Sequence, residues 1–225
     1  MEILDKILLT SHIGIGSLSL FLFWIPVIVK KGGNLHIKVG WAYTYCMWYV
    51  LLSAFLLSII NLSQGYYMIA AFLGFLAVLT GEALWYAIAI LKHKKDIPDQ
   101  MLRIRKFLRY VILIGGIALI VWCILEKFEG MAILLFIFGI IGVSGSAPAL
   151  FYNKEVNKSW LSEHIQGMIA SGIAAYTAFF AFGASSLFGS IFQGPLIAIP
   201  WILPSIIGTV IIIRMKRKNN LKFNQ

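Results

Sequence analysis

Seven stretches of nearly unbroken apolar residues, at 7–29, 39–62, 67–91, 108–125, 131–152, 161–184 and 195–213, alternate with short polar connections. Each is close to the roughly 20 helical residues that cross a hydrocarbon core of about 30 Å, so the pattern predicts seven transmembrane helices. The boundary between the fourth and fifth runs rests on Glu126-Lys127-Phe128-Glu129-Gly130, which reads as a tight polar reversal outside the bilayer. Buried, it would lower the helix count.

Composition agrees with that pattern. Hydrophobic residues make up 60% of the 225 and charged residues 12%, with a mean hydropathy of +0.87, against roughly 45 to 50% apolar residues in a soluble domain. Only lipid can take up so much apolar surface, because each helix satisfies its own backbone hydrogen bonds there. The expected fold is all-α, a polytopic transmembrane bundle forming a single integral membrane domain over 1–225, without a soluble module.

The net charge of +10 suggests nucleic acid only until its distribution is seen. Lys30, Lys31 and Lys38 fall on one side, followed there by Lys92, Lys94, Lys95, Arg103, Arg105, Lys106 and Arg109, then Lys154 and Lys158, then Arg214, Lys216, Arg217, Lys218 and Lys222; the other side receives Lys6 and Lys127. By the positive-inside rule the first side is cytoplasmic, which sets a multi-pass protein in the cell membrane with its N-terminus outside and its C-terminus in the cytoplasm. The expected partner is the lipid bilayer, not nucleic acid. Cys46 and Cys123 lie in apolar runs toward opposite faces and form no metal-like cluster. The start Met1-Glu2-Ile3-Leu4-Asp5-Lys6 lacks a cationic signal region, so the first helix is expected to stay in the mature protein.

The longest connection, 92–107, contains a stretch at 101–107 that reads as a charged anchoring loop or a short amphipathic helix on anionic headgroups. Pro195, Pro200 and Pro204 predict kinks in the last helix. No repeat suggests the paired halves of a secondary transporter.

Ionisable side chains at membrane depth are costly and mark candidate sites. His12 sits roughly 8 Å below the outer end of the first helix at 1.5 Å per residue, with Gly16 and Ser19 on its face; an interhelical hydrogen bond or the edge of a cofactor would fit there. His36 stands in the turn Gly32-Gly33-Asn34-Leu35-His36, with Gly40 and Tyr43 on its face, and reads as an interface cap or a ligand. His164 leads a face of Met168, Ser171, Ala175 and Ala178, while Ser162 and Glu163 could cap the sixth helix. Glu82 is deep enough to be protonated or paired, either as a structural hydrogen-bonding group or as a proton relay.

Height along the bundle decides which of these can meet. His36 and His164 begin helices running the same way near the cytoplasmic face, whereas His12 lies near the other face. The pair could supply axial ligands to a b-type haem, or two ligands of a metal site completed by Glu163 or His93.

The chain resembles the DUF2306 family of bacterial predicted membrane proteins. The likeness is carried by His12 in the first helix, the turn Gly33, Leu35, His36, Gly40 and Tyr43, and the late motif Trp160, His164 and Met168. Many relatives carry Arg after the second His, where this chain has Ile37 and then Lys38. The resemblance implies no established activity, and a likeness in style to small cytochrome b561 and ferric-reductase-like proteins is analogy.

Three function classes follow. His36 and His164 could hold a haem or metal for electron transfer, with Trp41, Tyr43 and Met168 around it and a quinone as partner; His12 has no histidine at its level to build a second haem site. Proton-coupled small-molecule transport would use Glu82 as its titrating group. A non-catalytic assembly subunit would bind another membrane protein. Retinal is a poor fit because the seventh run carries no lysine at membrane depth.

Overall fold

The computed structural model describes residues 2–129, 132–151, 159–180 and 199–223. Among them are seven helices: α1 (Glu2–Ile28), α2 (Asn34–Ser63), α3 (Tyr67–Ala89, extended by a 3-10 turn Ile90–Lys92), α4 (Asp99–Leu125), α5 (Ala132–Phe151), α6 (Trp160–Ala178) and α7 (Ile199–Phe223). The described residues include no strand. The chain is therefore an all-α bundle of the polytopic membrane class. Helices α1 to α4 are each long and apolar enough to cross a bilayer, α3 with its 3-10 extension, and α5 carries a shorter apolar stretch, Ala132–Ala147. Phe21, Ile28 and Phe107 face outward while Ser19, Thr44, Ser53 and Ser171 are buried. A lipid solvent allows this inversion, because apolar groups cost nothing outside and polar ones need partners inside.

Helix boundaries depart from the apolar runs where polar residues find a local role. Helix α2 starts at Asn34, five residues before the apolar run at 39. Gly32 makes the reversal at φ 75, a left-handed conformation that glycine adopts without strain, and extended Gly33 caps the helix. His36 thus lies inside the first turn of α2. Helix α4 starts at Asp99 rather than 108, because Pro98 fixes the φ that leads into the first turn and Asp99 sits at the positive end of the helix dipole. The stretch 101–107 is neither a loop nor a separate helix on the headgroups. It forms the first turns of α4, with Met101 and Arg105 turned into the bundle. At the other end Lys127 and Phe128 adopt left-handed φ values of 53 and 61, and Phe128 packs on Phe136 of α5, giving the expected reversal. Helix α7 runs on through its basic residues to Phe223 with Pro204 inside it, while Pro195 lies outside the described residues.

Helix α3 is central, packed against α2, α4, α5 and α6, while α1 rests on α2 and α6, and α7 on α6. Connected helices run antiparallel. Gln64, just past the end of α2, donates to Asp5 near the start of α1 at 3.0 Å, and Lys216 near the end of α7 donates to Gln166 near the start of α6 at 2.8 Å. The Lys94 ammonium stands 4.5 Å over the Trp160 ring, so basic connections gather at one end. Helices α4 and α5 meet along a glycine seam: a Cβ on Gly116 would stand 2.8 Å from the Gly139 carbonyl, and one on Gly139 would stand 2.7 Å from the Gly116 carbonyl. Phe75 of α3 fills the notch over Gly115 and Gly142. These glycine faces pack helices within the chain.

Candidate functional site

The inward face of α4 carries Met101, Arg105, Ile112, Gly116, Leu119 and Cys123, at the spacing of a buried helical stripe. Arg105 is the one charged member. Its Nε donates to Glu82 Oε1 of α3 at 3.2 Å, and its Nη2 donates to Glu163 Oε2 of α6 at 2.7 Å. Arg109, one turn further along α4, donates from Nε to the same Glu82 oxygen at 3.4 Å. Tyr86, one turn beyond Glu82, lays its ring against the guanidinium, 3.2 Å from its carbon to the ring centroid. The i, i+4 spacing of Glu82 with Tyr86, and of Arg105 with Arg109, puts each pair on one helix face.

Glycine brings the third helix in. A Cβ at Gly167 would stand 2.5 Å from the Ala83 carbonyl, so only glycine lets α6 approach α3 this closely. Glu163, one turn earlier, thereby reaches Arg105. The four side chains are 7 to 11% exposed, and a cluster of Tyr86, Ile90 and Met101 with Trp160 packed against it covers them toward the basic end. Two carboxylates and two guanidinium groups give this set no net charge. Glu82 is paired, one of the two states expected of it. Glu163 is not the helix cap expected of it: its carboxylate is turned to Arg105, and Ser159 occupies the cap position.

The histidines separate as their heights require. His12 Nδ1 lies 2.7 Å from Ser53 Oγ of α2, an interhelical hydrogen bond remote from the basic end. At that end His36 Nδ1 donates to the Pro26 carbonyl of α1 at 3.1 Å, and His164 Nδ1 donates to the Ala87 carbonyl of α3 at 2.8 Å. Each bond fixes the tautomer and leaves Nε2 with its lone pair, the state a ligating imidazole needs.

No family model, curated protein or solved structure matches this chain.

Three expectations change with the side chains in place. Among the described residues no group of three His, Cys, Asp or Glu could hold a metal, so the metal site completed by Glu163 or His93 is not assembled. Glu163 is committed to Arg105, and His93 lies in a groove with Trp41, Trp48 and Trp85. Trp41 therefore belongs to that groove, stacked on Tyr45 at 5.7 Å, while Tyr43 and Met168 pack in the core of α1, α2, α3 and α6. Tyr43 donates to Ser171 Oγ at 2.8 Å, and the Ser171 hydroxyl in turn donates to the Met168 carbonyl at 2.8 Å. Arg105 and Arg109, counted as topological charges in the sequence, are the cations of the site. Their signal was present: a stripe at 101, 105, 112, 116, 119 and 123 that is apolar except at Arg105.

Proposed function

We propose that this chain is a proton-linked carrier of small anions, with the Glu82–Arg105–Glu163 junction as its working centre. The observation that carries this reading is the sharing of one buried guanidinium between carboxylates of two different helices. Fold stability alone does not call for such a group, since apolar residues of similar volume often serve as well as a buried ion pair or better, and ionisable groups at membrane depth are retained for work. Taking a proton at Glu82 weakens the ionic tie between α3 and α4 while the Arg105–Glu163 pair between α4 and α6 persists. Protonation at Glu163 does the reverse. Either proton also gives the four side chains a net charge of +1, which an entering anion balances. The side rich in Lys and Arg is cytoplasmic in this reading and the N-terminus lies outside, and the motifs around His12, His36 and His164 support reading the chain as a relative of the DUF2306 membrane proteins.

Infrared spectra of the protein in nanodiscs, titrated from pH 8 to 4, test the proton step without knowledge of the anion. A protonated-carboxyl band that disappears in Glu82→Gln or Glu163→Gln is expected. Its absence from the wild type would sink the proposal. With that band in hand, liposomes containing a trapped pH dye and a panel of inorganic and organic anions identify the cargo, and Glu82→Gln should slow anion-dependent acidification at least about tenfold.

A second reading rests on the two Nδ1–carbonyl bonds. His36 and His164, each presenting Nε2 from an oriented ring, suit the axial ligation of a b-type haem or the capture of a metal ion for electron transfer to a quinone. A Soret band or stoichiometric metal lost in both His36→Ala and His164→Ala supports it; a colourless, metal-free protein from haem-supplemented cells rejects it.

A further inference from the structure

Helices α2 and α3 leave a groove of about 240 Å³ between them, lined by Trp41, Trp48, Trp85, Ile88, Ala89, Lys92 and His93. Its chemistry is graded along the membrane normal. Lys92 and His93 sit just past the end of α3, at the basic end of the bundle. Trp48 lies seven residues beyond Trp41 on α2, about 10 Å deeper at 1.5 Å per residue. One end therefore offers an ammonium and an imidazole, and the other is walled by indole faces and aliphatic side chains.

Scattered interfacial tryptophans are ordinary in membrane proteins. Here three of the seven, drawn from two helices, line one concavity. Their N–H groups find no acceptor among the described residues, whereas Trp24 and Trp122 donate to Tyr176 and Glu126. An indole prefers to keep its apolar body in hydrocarbon and its N–H on an acceptor. An occupant that suits both ends is anionic, to pair with Lys92 and His93, offers acceptors to the indole N–H groups, and carries an apolar chain to fill the deeper half.

We infer that this groove is a binding site for an anionic phospholipid, its phosphate held by Lys92 and His93 and its acyl chain laid between Trp41, Trp48 and Trp85. Basic pockets between transmembrane helices on the cytoplasmic side bind the head groups of anionic lipids. The site shares no residue with the Glu82–Arg105–Glu163 junction and does not depend on the carrier reading.

Brominated acyl chains quench tryptophan on contact, so the full-length protein in mixed micelles can be titrated with dibrominated phosphatidylglycerol and with dibrominated phosphatidylcholine. The wild type should show a saturable phase with phosphatidylglycerol at a mole fraction at least about threefold below that needed with phosphatidylcholine. The Lys92→Gln/His93→Gln variant, altered only outside the bundle core, should lose that preference. The Trp41→Phe/Trp48→Phe/Trp85→Phe variant should lose the saturable phase and keep the linear quenching of the remaining tryptophans. Equal titrations with the two lipids would overturn the inference, and so would a preference that survives the Lys92/His93 change.

Discussion

Helix α4 is held by two different kinds of force along its length. Its first turns, through Arg109, are fixed to α3 and α6 by charge, while its apolar remainder is fixed to α5 by the fit of Gly116 against Gly139. The seam reads only volume, because backbone lies against backbone with no room for a Cβ. The junction reads identity and protonation, since each group there is buried with its opposite. A membrane helix can thus be anchored at one end by packing that does not depend on pH and at the other by a contact that one proton can rearrange. Such a division suits a part that pivots, and the carrier proposal uses it in that way.

Breaking the junction should produce the largest effect. Arg105→Met removes the guanidinium that Glu82 and Glu163 share, and loss of one partner of a buried pair costs about 3 to 5 kcal/mol. Equilibrium unfolding in mixed detergent micelles should register that loss. Replacing the whole set, with Glu82→Gln, Arg105→Met, Arg109→Met and Glu163→Gln together, should recover most of it while abolishing any proton response. A single variant costing less than about 1 kcal/mol, within the range of a surface pair, would mean that the four charges are solvated and the comparison fails.

The seam should respond next, and only to size. Gly139→Leu drives a side chain into the Gly116 carbonyl, and overpacking of this kind costs about 1 to 3 kcal/mol. Gly145→Ala is the matched control on the same helix, since nothing lies within 4 Å of its added Cβ. Neither effect should change between pH 5 and 8. A pH-dependent Gly139→Leu would show that seam and junction are coupled along α4.

How much of this could be read in the sequence follows from the same physics. The helices were legible because a span of hydrocarbon imposes a minimum apolar length, and the heights of His12, His36 and His164 followed by counting residues at a fixed rise. The start of α4 was not legible in that way. Its first three turns carry Arg103, Arg105, Lys106 and Arg109, and the rule that assigns basic residues to cytoplasmic connections cannot tell a loop charge from one buried against a carboxylate on another helix. Rotation about the helix axis decides that. It could have been inferred from the inward stripe containing Arg105, given Pro98 and Asp99 as the helix start. The bonds His12–Ser53 and Tyr43–Ser171 depend on rotational setting as well, which an apolar run leaves open.

The smallest effect separates the basic end's solvated charges from its buried ones. Lys31, in the connection between α1 and α2, donates to the Pro26 and Val27 carbonyls at the end of α1. Partial burial, and then the charge of Lys218, lower its pKa below the ordinary lysine value of 10.5. A lysine with a depressed folded-state pKa binds its proton more weakly folded than unfolded. Between that lowered value and 10.5 the unfolded chain holds more protons, so the contribution to stability rises with pH across this window. The expected gain in Tm is small, about a degree at most for a chain of this size with the group so near water. Lys31→Met should remove the rise. Lys218→Gln, which deletes the repulsion but leaves the burial, should narrow the window from below without closing it. If Lys218→Gln abolished the rise entirely, repulsion between the two lysines would be the larger cause, and the end of α7 would lie closer to the α1–α2 connection than burial alone requires.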